Sequence, residues 1–224
     1  MAGDLEPAPI LTEIMERAER AGVPVRMTPR LDSLARTEAS QGVVAKADPL
    51  PVAIDDELLA DPAAFIVAVD GVTDPRNLGA ILRSAEGAGV TGLLLPRRRS
   101  VHVTPAVTKA AAGAVERIPI ALVPGIPSTL DRARRAGVWT IGLDERGETD
   151  LFDLELGPEP VLLLVGSEGR GLSRLARERC DLIVRIPMLG HLESLNVAAA
   201  ATLACYEIAR RRPRRVTGGS TSSH

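Results

Sequence analysis

Residues 65–95 read FIVAVDGVTDPRNLGAILRSAEGAGVTGLLL, and the change of period inside this stretch decides the fold. Phe65–Val69 is an unbroken apolar run, the pattern of a strand buried on both faces. Asp74 and Pro75 then open a helix as N-cap and first helical residue. Leu78, Ile81, Leu82, Ala85 and Ala88 recur at helical spacing, with Arg76 and Arg83 together on the opposite face, and residues 93–95 return to the strand pattern. Strand, helix and strand in succession are the unit from which parallel sheets are built.

The alternation continues outward from there. Strand-like runs occur at 118–123, 138–143, Val161–Val165 and 182–186, nearly all separated by helical stretches, so the chain is α/β with a parallel sheet covered on both faces. In such sheets ligands bind beyond the carboxyl ends of the strands, which directs attention to the loops that follow them. Upstream, Ile10, Ile14, Met15, Ala18 and Ala21 predict a helix ended by Gly22, followed by short strands at 23–25 and 42–45 around a short helix at 31–35. Residues 48–62, with Pro49, Pro51 and Pro62 among acids, read as a linker, and the Gly/Ser/Thr-rich residues 213–224 as a disordered tail.

Composition bounds the chemistry. The chain has 224 residues, 45% hydrophobic and 25% charged, which excludes a disordered or collagen-like chain, and with 2% aromatics its core must be aliphatic. Net charge is −2, so the chain is no bulk polycation. Of its 27 basic residues only Lys46 and Lys109 are lysine, leaving 25 arginines, the better residue for bidentate phosphate contacts. Arginine clusters stand at Arg97–Arg99, at Arg132, Arg134 and Arg135, and from Arg210 to Arg215; each could bind phosphate or simply cap a helix end. Cys180 and Cys205 are too few for a disulfide framework or a paired zinc site, so no metal is expected. With no apolar leader at its start and no run of membrane-spanning length, a cytoplasmic protein without membrane contact is expected.

Three loops carry the chemistry. The first, residues 70–90, has just been described. The second, VLLLVGSEGRGLS at 161–173, runs a buried strand into Gly166, Gly169 and Gly171, with Ser173 as cap of a following helix. It is neither a P-loop nor a dinucleotide fingerprint, and Glu168 would repel a pyrophosphate. The third, IPMLGHLESLN at 186–196, opens an Ala-rich helix for which Ser194 is the expected N-cap, leaving the Asn196 side chain free for a ligand.

Together these loops identify a resemblance. The chain resembles the SpoU/TrmH family of S-adenosylmethionine-dependent RNA 2′-O-ribose methyltransferases, of the SPOUT superfamily, in NLGAILR with Asn77 and Arg83, in GSEGRGLS with Gly166 and Glu168, and in IPMLGHLESLN with Ser194 and Asn196. It spans residues 63–212, the implied catalytic domain, while RLDSLARTEASQGVVA is similar to the end of the family's L30e-like RNA-binding domain, making residues 1–47 a partial substrate-binding segment whose first half is absent.

The resemblance implies a SPOUT-type parallel sheet with a deep C-terminal trefoil knot tied by the second and third loops, an exception to the rule against threading. It implies S-adenosylmethionine held by main-chain groups at Leu143, Gly166, Ile186 and Leu195, RNA as substrate, in particular a guanosine of large-subunit ribosomal RNA, and a homodimer in which the arginine of one subunit faces or approaches the cofactor pocket of the other. The family assigns proton removal to the arginine matching Arg83; because free arginine titrates above about pH 12, we read Arg83 as orienting the ribose and stabilising the forming alkoxide. Asn77, Glu168, Ser194 and Asn196 match the family's other site residues, with Glu168 fixing loop geometry and Ser194 and Asn196 ordering the third loop. Ala111 departs from relatives that often carry Ser there, and His102, His191 and His224 are given no role. Two other readings stay open on sequence alone: a non-catalytic SPOUT-fold RNA-binding protein, and a nucleotide-dependent oxidoreductase.

Overall fold

The computed structural model describes residues 9–35, 42–98 and 100–212. Arg99, residues 36–41 of the stretch matched to the L30e-like domain, and the 213–224 tail with Arg214, Arg215 and His224 lie outside the described residues. The chain divides into two compact units, Met1–Pro49 and Leu50–His224.

In the first unit the expected helix forms as α1 (Pro9–Arg20), closed by Gly22 at φ +67°, and a single turn forms α2 (Leu31–Leu34). The strands expected at 23–25 and 42–45 do not form; both segments are coil. Pro24 removes a ladder donor from the first, and neither segment has a pairing partner among the described residues.

The second unit begins with α3 (Asp55–Ala60), inside the stretch read as linker. Residues 53–60 are instead built onto the sheet. The Ala53 amide donates to the Ile120 carbonyl at 2.9 Å, Leu59 is buried, and Arg132 pairs with both Asp55 and Asp56. From there the chain runs β1 (Phe65–Val69), α4 (Pro75–Gly87), β2 (Gly92–Pro96), α5 (Pro105–Ala111), β3 (Ile120–Val123), α6 (Ile126–Arg135) and β4 (Trp139–Leu143). It continues through β5 (Thr149–Asp150), β6 (Val161–Val165), α7 (Arg174–Arg179), β7 (Leu182–Arg185) and α8 (Val197–Arg211).

The strands form one seven-stranded sheet in the order β3-β2-β1-β6-β4-β7-β5, with every neighbouring pair parallel. Alternate residues of each central strand enter two separate aliphatic cores. Phe65, Val67, Val69, Leu163 and Val165 pack with α4, α5 and α8 on one face, while Ile66, Ala68, Leu162 and Leu164 pack with α3, α6 and α7 on the other. This two-sided burial explains why the strands read as unbroken apolar runs.

Helices change face between β3 and β4, and β6 later inserts between β1 and β4. The loops after β1 and β6 therefore lie side by side at the topological switch of the sheet, where an α/β fold leaves a crevice. One close approach shapes this region. A Cβ on Gly79 of α4 would stand 2.4 Å from the Ala110 Cβ of α5, so a glycine is needed for the two helices to touch.

Candidate active site

Asp74 caps α4 through a hydrogen bond from the Arg76 amide at 2.8 Å, with Pro75 at the first helical position, and this places Asn77 in the opening turn. After β6, Ser167 and Gly171 exchange main-chain hydrogen bonds of 3.1 and 2.9 Å, pinching residues 167–171 into a turn that presents Glu168. Gly169 and Gly171 take φ of +74° and +61° there, which side chains with a Cβ rarely adopt. The third loop differs from the expectation. Ser194 is exposed, its hydroxyl makes no hydrogen bond among the described residues, and the cap of α8 is Asn196, whose Oδ1 accepts from the Ala198 amide at 2.9 Å. Capping follows helix geometry, and α8 starts at Val197, three residues after Ser194.

Asn196 is thus not free but occupied twice. Its Nδ2 donates to Asn77 Oδ1 at 3.1 Å and to Glu168 Oε1 at 3.3 Å, while Asn77 Nδ2 donates to Glu168 Oε2 at 3.3 Å. Three residues from three loops, each after a different strand, close a ring of hydrogen bonds. Counting donors and acceptors, one N–H of Asn77 and further lone pairs of Glu168 remain unused, so the ring offers both a donor and an acceptor to a visiting group. A hydroxyl matches that pairing.

Beside the ring lies a crevice of about 80 Å³, lined by Gly71, Val72, Thr73, Ser167 and Val197 together with Asn77 and Glu168. It is well below the roughly 300–1,000 Å³ of a cleft that swallows a whole ligand, so it takes one group of a larger molecule. Directly after β1, burial pushes the Asp70 carboxyl above the ordinary carboxylate range, with a hydrogen bond from Ser173 pulling the other way.

Of the residues matched to a methyl-donor pocket, Leu143, Gly166 and Ile186 stand at the adjacent carboxyl ends of β4, β6 and β7, with Leu143 in register with both Val165 and Val184. Leu195 is half-buried in the loop before α8. Gly166 is buried, and a Cβ on it would lie 2.3 Å from the main chain of Gly171, so the two loop ends are pressed together. None of these four side chains is charged, which suits a neutral nucleoside read by main-chain groups.

Sequence reasoning missed Asp144. It is buried at 6% exposure directly after β4; its Oδ2 accepts from the Leu172 amide and its Oδ1 from the Arg146 amide, both at 3.0 Å. It therefore ties the loop after β4 to the loop after β6. The signal was present as an Asp-x-x-Gly turn, closed by the Gly147 amide donating to the Asp144 carbonyl.

Arg83 is not brought to the ring of its own chain. It lies six residues beyond Asn77 on α4, about 9 Å along the axis and a third of the way round it. It is exposed, does not line the crevice, and makes no hydrogen bond or ion pair among the described residues. His102 and His191 are also exposed. Burial pushes the Cys180 and Cys205 thiols up to about 12, which keeps both protonated at neutral pH and unsuited to nucleophilic work. Among the described residues no group of side chains could hold a metal, and no helix is long and apolar enough to cross a membrane.

Comparison with known proteins meets the same three loops. Residues 64–206 match the model of the SpoU rRNA methylase family. A tRNA/rRNA methyltransferase of Mycobacterium ulcerans is 43% identical over 208 residues, covering 90% of this chain and 67% of its own length. The 23S rRNA (guanosine-2′-O-)-methyltransferase RlmB of Ralstonia nicotianae is 42% identical over 209 residues, 90% of this chain and 83% of that protein. Among solved structures, the SpoU methyltransferase AviRb of Streptomyces viridochromogenes in complex with AdoMet superposes with a TM-score of 0.66 at 36% identity, over 72% of this chain and 66% of its own. The chain thus spans about two thirds of the mycobacterial protein and of AviRb.

The parallel sheet and the three strand-end loops define an RNA methyltransferase of the SPOUT kind. The chain belongs to the SpoU rRNA methylase family.

Proposed function

We propose that this chain transfers a methyl group from S-adenosylmethionine to the ribose 2′-OH of a guanosine in large-subunit ribosomal RNA. The observation that carries the reading is the ring of Asn77, Glu168 and Asn196, which leaves one donor and one acceptor facing a crevice too small for more than a single group. A ribose hydroxyl uses both. The similarity to RlmB supports guanosine and 2′-O chemistry, and the AdoMet complex of AviRb supports the donor.

S-adenosylmethionine, when bound, supplies an electrophilic methyl on a sulfonium. Leu143, Gly166, Ile186 and Leu195 hold it through main-chain groups, with Asp144 fixing two of the loops that carry them. Asn77 and Glu168 orient the ribose. The guanidinium of Arg83 stabilises the alkoxide as the 2′-OH releases its proton, with Ser194 ordering the third loop against the substrate. Because Arg83 does not reach the ring within one chain, it acts in a homodimer, at the crevice of the partner copy. Leu189, Leu192, Leu203 and Tyr206, exposed on the third loop and α8, supply apolar surface for that pairing. The trefoil knot formed by the second and third loops, the L30e-like origin of residues 1–47 as an RNA-binding segment, and a cytoplasmic site of action belong to the same reading. In support of the second, the alignments with relatives cover more residues than the Leu50–His224 unit contains.

The test is transfer of a tritiated methyl group to unmodified ribosomal RNA. Label enters the RNA with the native chain, and Arg83→Ala slows incorporation by about 100-fold or more. Incorporation untouched by Arg83→Ala removes that residue's role, and binding of S-adenosylhomocysteine without any transfer overturns the catalytic reading.

A further inference from the structure

The arginines of the sheet unit divide into two populations. Several of those remote from the carboxyl edge of the sheet are engaged: Arg117 with Glu86, Arg132 with Asp55 and Asp56, Arg134 with Asp181, Arg179 with Asp131, and Arg211 with Glu207. Arg76, Arg97, Arg98 and Arg170 are exposed, and none makes a side-chain hydrogen bond or ion pair among the described residues. All four follow the carboxyl ends of β1, β2 and β6. Arg76 precedes Asn77 in the first turn of α4, and Arg170 follows Glu168 in the pinched turn after β6. Arg97 and Arg98 follow β2 in a loop fastened to the crevice wall, where the Val101 amide and the Ser100 hydroxyl donate to the Val72 carbonyl at 2.9 and 3.2 Å. Among the described residues the other arginines of the unit without a side-chain hydrogen bond or ion pair are Arg83 on α4, and Arg135 and Arg177 on α6 and α7 across the sheet.

A chain of net charge −2 that carries four exposed, uncompensated arginines on the loops and helix start at one edge of its sheet presents a local polyanion site there. We infer that Arg97 and Arg98, with Arg76 and Arg170 to either side, hold the backbone phosphates of the nucleotides flanking the methylated one. This rests on the RNA methyltransferase reading and extends it from the reacting ribose to the strand that presents it. Phosphate contacts position a strand without reading its bases. These arginines therefore set register and affinity, while the choice of nucleotide lies elsewhere.

The experiment measures binding of the native chain to a fluorescent fragment of unmodified large-subunit RNA between 50 and 200 mM salt. Each phosphate contact to a single strand contributes about −0.7 to the slope of log affinity against log salt. Arg97→Ala/Arg98→Ala is expected to flatten the slope by about 1.4, with S-adenosylhomocysteine affinity and melting temperature unchanged. Arg97→Lys/Arg98→Lys is expected to restore it, because a lysine keeps the point charge. Arg135→Ala/Arg177→Ala removes the same charge from elsewhere and is expected to leave the slope alone. An unchanged slope in the Arg97/Arg98 alanine variant, or equal flattening in the Arg135/Arg177 variant, overturns the inference. Failure of the underlying reading shows differently, as a native chain that methylates no RNA at all.

Discussion

Asn196 Nδ2 donates to Asn77 Oδ1 at 3.1 Å, joining the first turn of α4 to the cap of α8 across 119 residues of chain. The same Asn196 uses its Oδ1 to cap α8. One side chain thus starts a helix and fixes the amide orientation of a neighbour, so helix stability and site geometry are coupled at a single residue.

That coupling separates two substitutions. Asn196→Ala removes the cap and the ring together, costing about 1 kcal/mol of stability and most of the methyl transfer. Asn196→Asp keeps a capping oxygen but sets a second carboxylate against Glu168; melting temperature stays near native while transfer falls as far as in the alanine variant. Thermal melts paired with transfer rates check both. Native transfer in Asn196→Asp would show that the ring is only structural.

Asp144 accepts from two main-chain amides in two loops. Asp144→Ala leaves the Leu172 amide without its acceptor in a buried setting, which costs about 1–3 kcal/mol and loosens the cofactor loops. Calorimetry is expected to show weaker S-adenosylhomocysteine binding, with Asp144→Asn intermediate because one acceptor oxygen survives.

Gly166 has no space for a side chain. Gly166→Ala would press a methyl group into the Gly171 main chain at 2.3 Å, whereas a Cβ on Gly125 meets nothing within 4 Å. The expectation is loss of S-adenosylhomocysteine binding and a lower melting temperature for Gly166→Ala, with Gly125→Ala keeping native binding as the control.

Glu207, buried on α8, is held at about 2 by hydrogen bonds from Arg210, which outweigh the opposing effect of burial, and then by those from Arg211. A depressed carboxylate contributes stability that is complete above its ordinary value of 4.5 and is lost as pH falls toward 2. Melting curves at pH 7 and pH 3 are expected to show the native chain ahead of Glu207→Gln at pH 7, with the gap narrowing at pH 3.

The sheet was legible because burial on both faces writes apolar runs such as Phe65–Val69 and Val161–Val165 directly into the chain. The caps Asp74 and Ser173 were legible because each sits one residue before its helix. Ser194 misled for the same reason in reverse: a capping residue type stood near a helix start, but the helix began three residues later. Asn77, Glu168 and Asn196 could be picked out by motif, but their mutual hydrogen bonds depend on β6 inserting beside β1, a long-range pairing that no local pattern records. Asp144 escaped notice because an acid after a strand looks like any solvated turn until its burial is known. The stretch around α3 misled because its prolines and acids resemble a linker, while Leu59 and the Arg132 ion pairs fasten it down.

The most direct measurement locates the transferred methyl group. A methyl on the ribose 2′ oxygen removes the hydroxyl that alkali needs to cleave the next phosphodiester, so alkaline digestion of tritium-labelled ribosomal RNA leaves the label in a dinucleotide. The expected result is label in an alkali-resistant dinucleotide with guanosine on its 5′ side, lost with Arg83→Ala. Label in mononucleotides, the mark of a methylated base, would contradict a site built to hold a ribose hydroxyl.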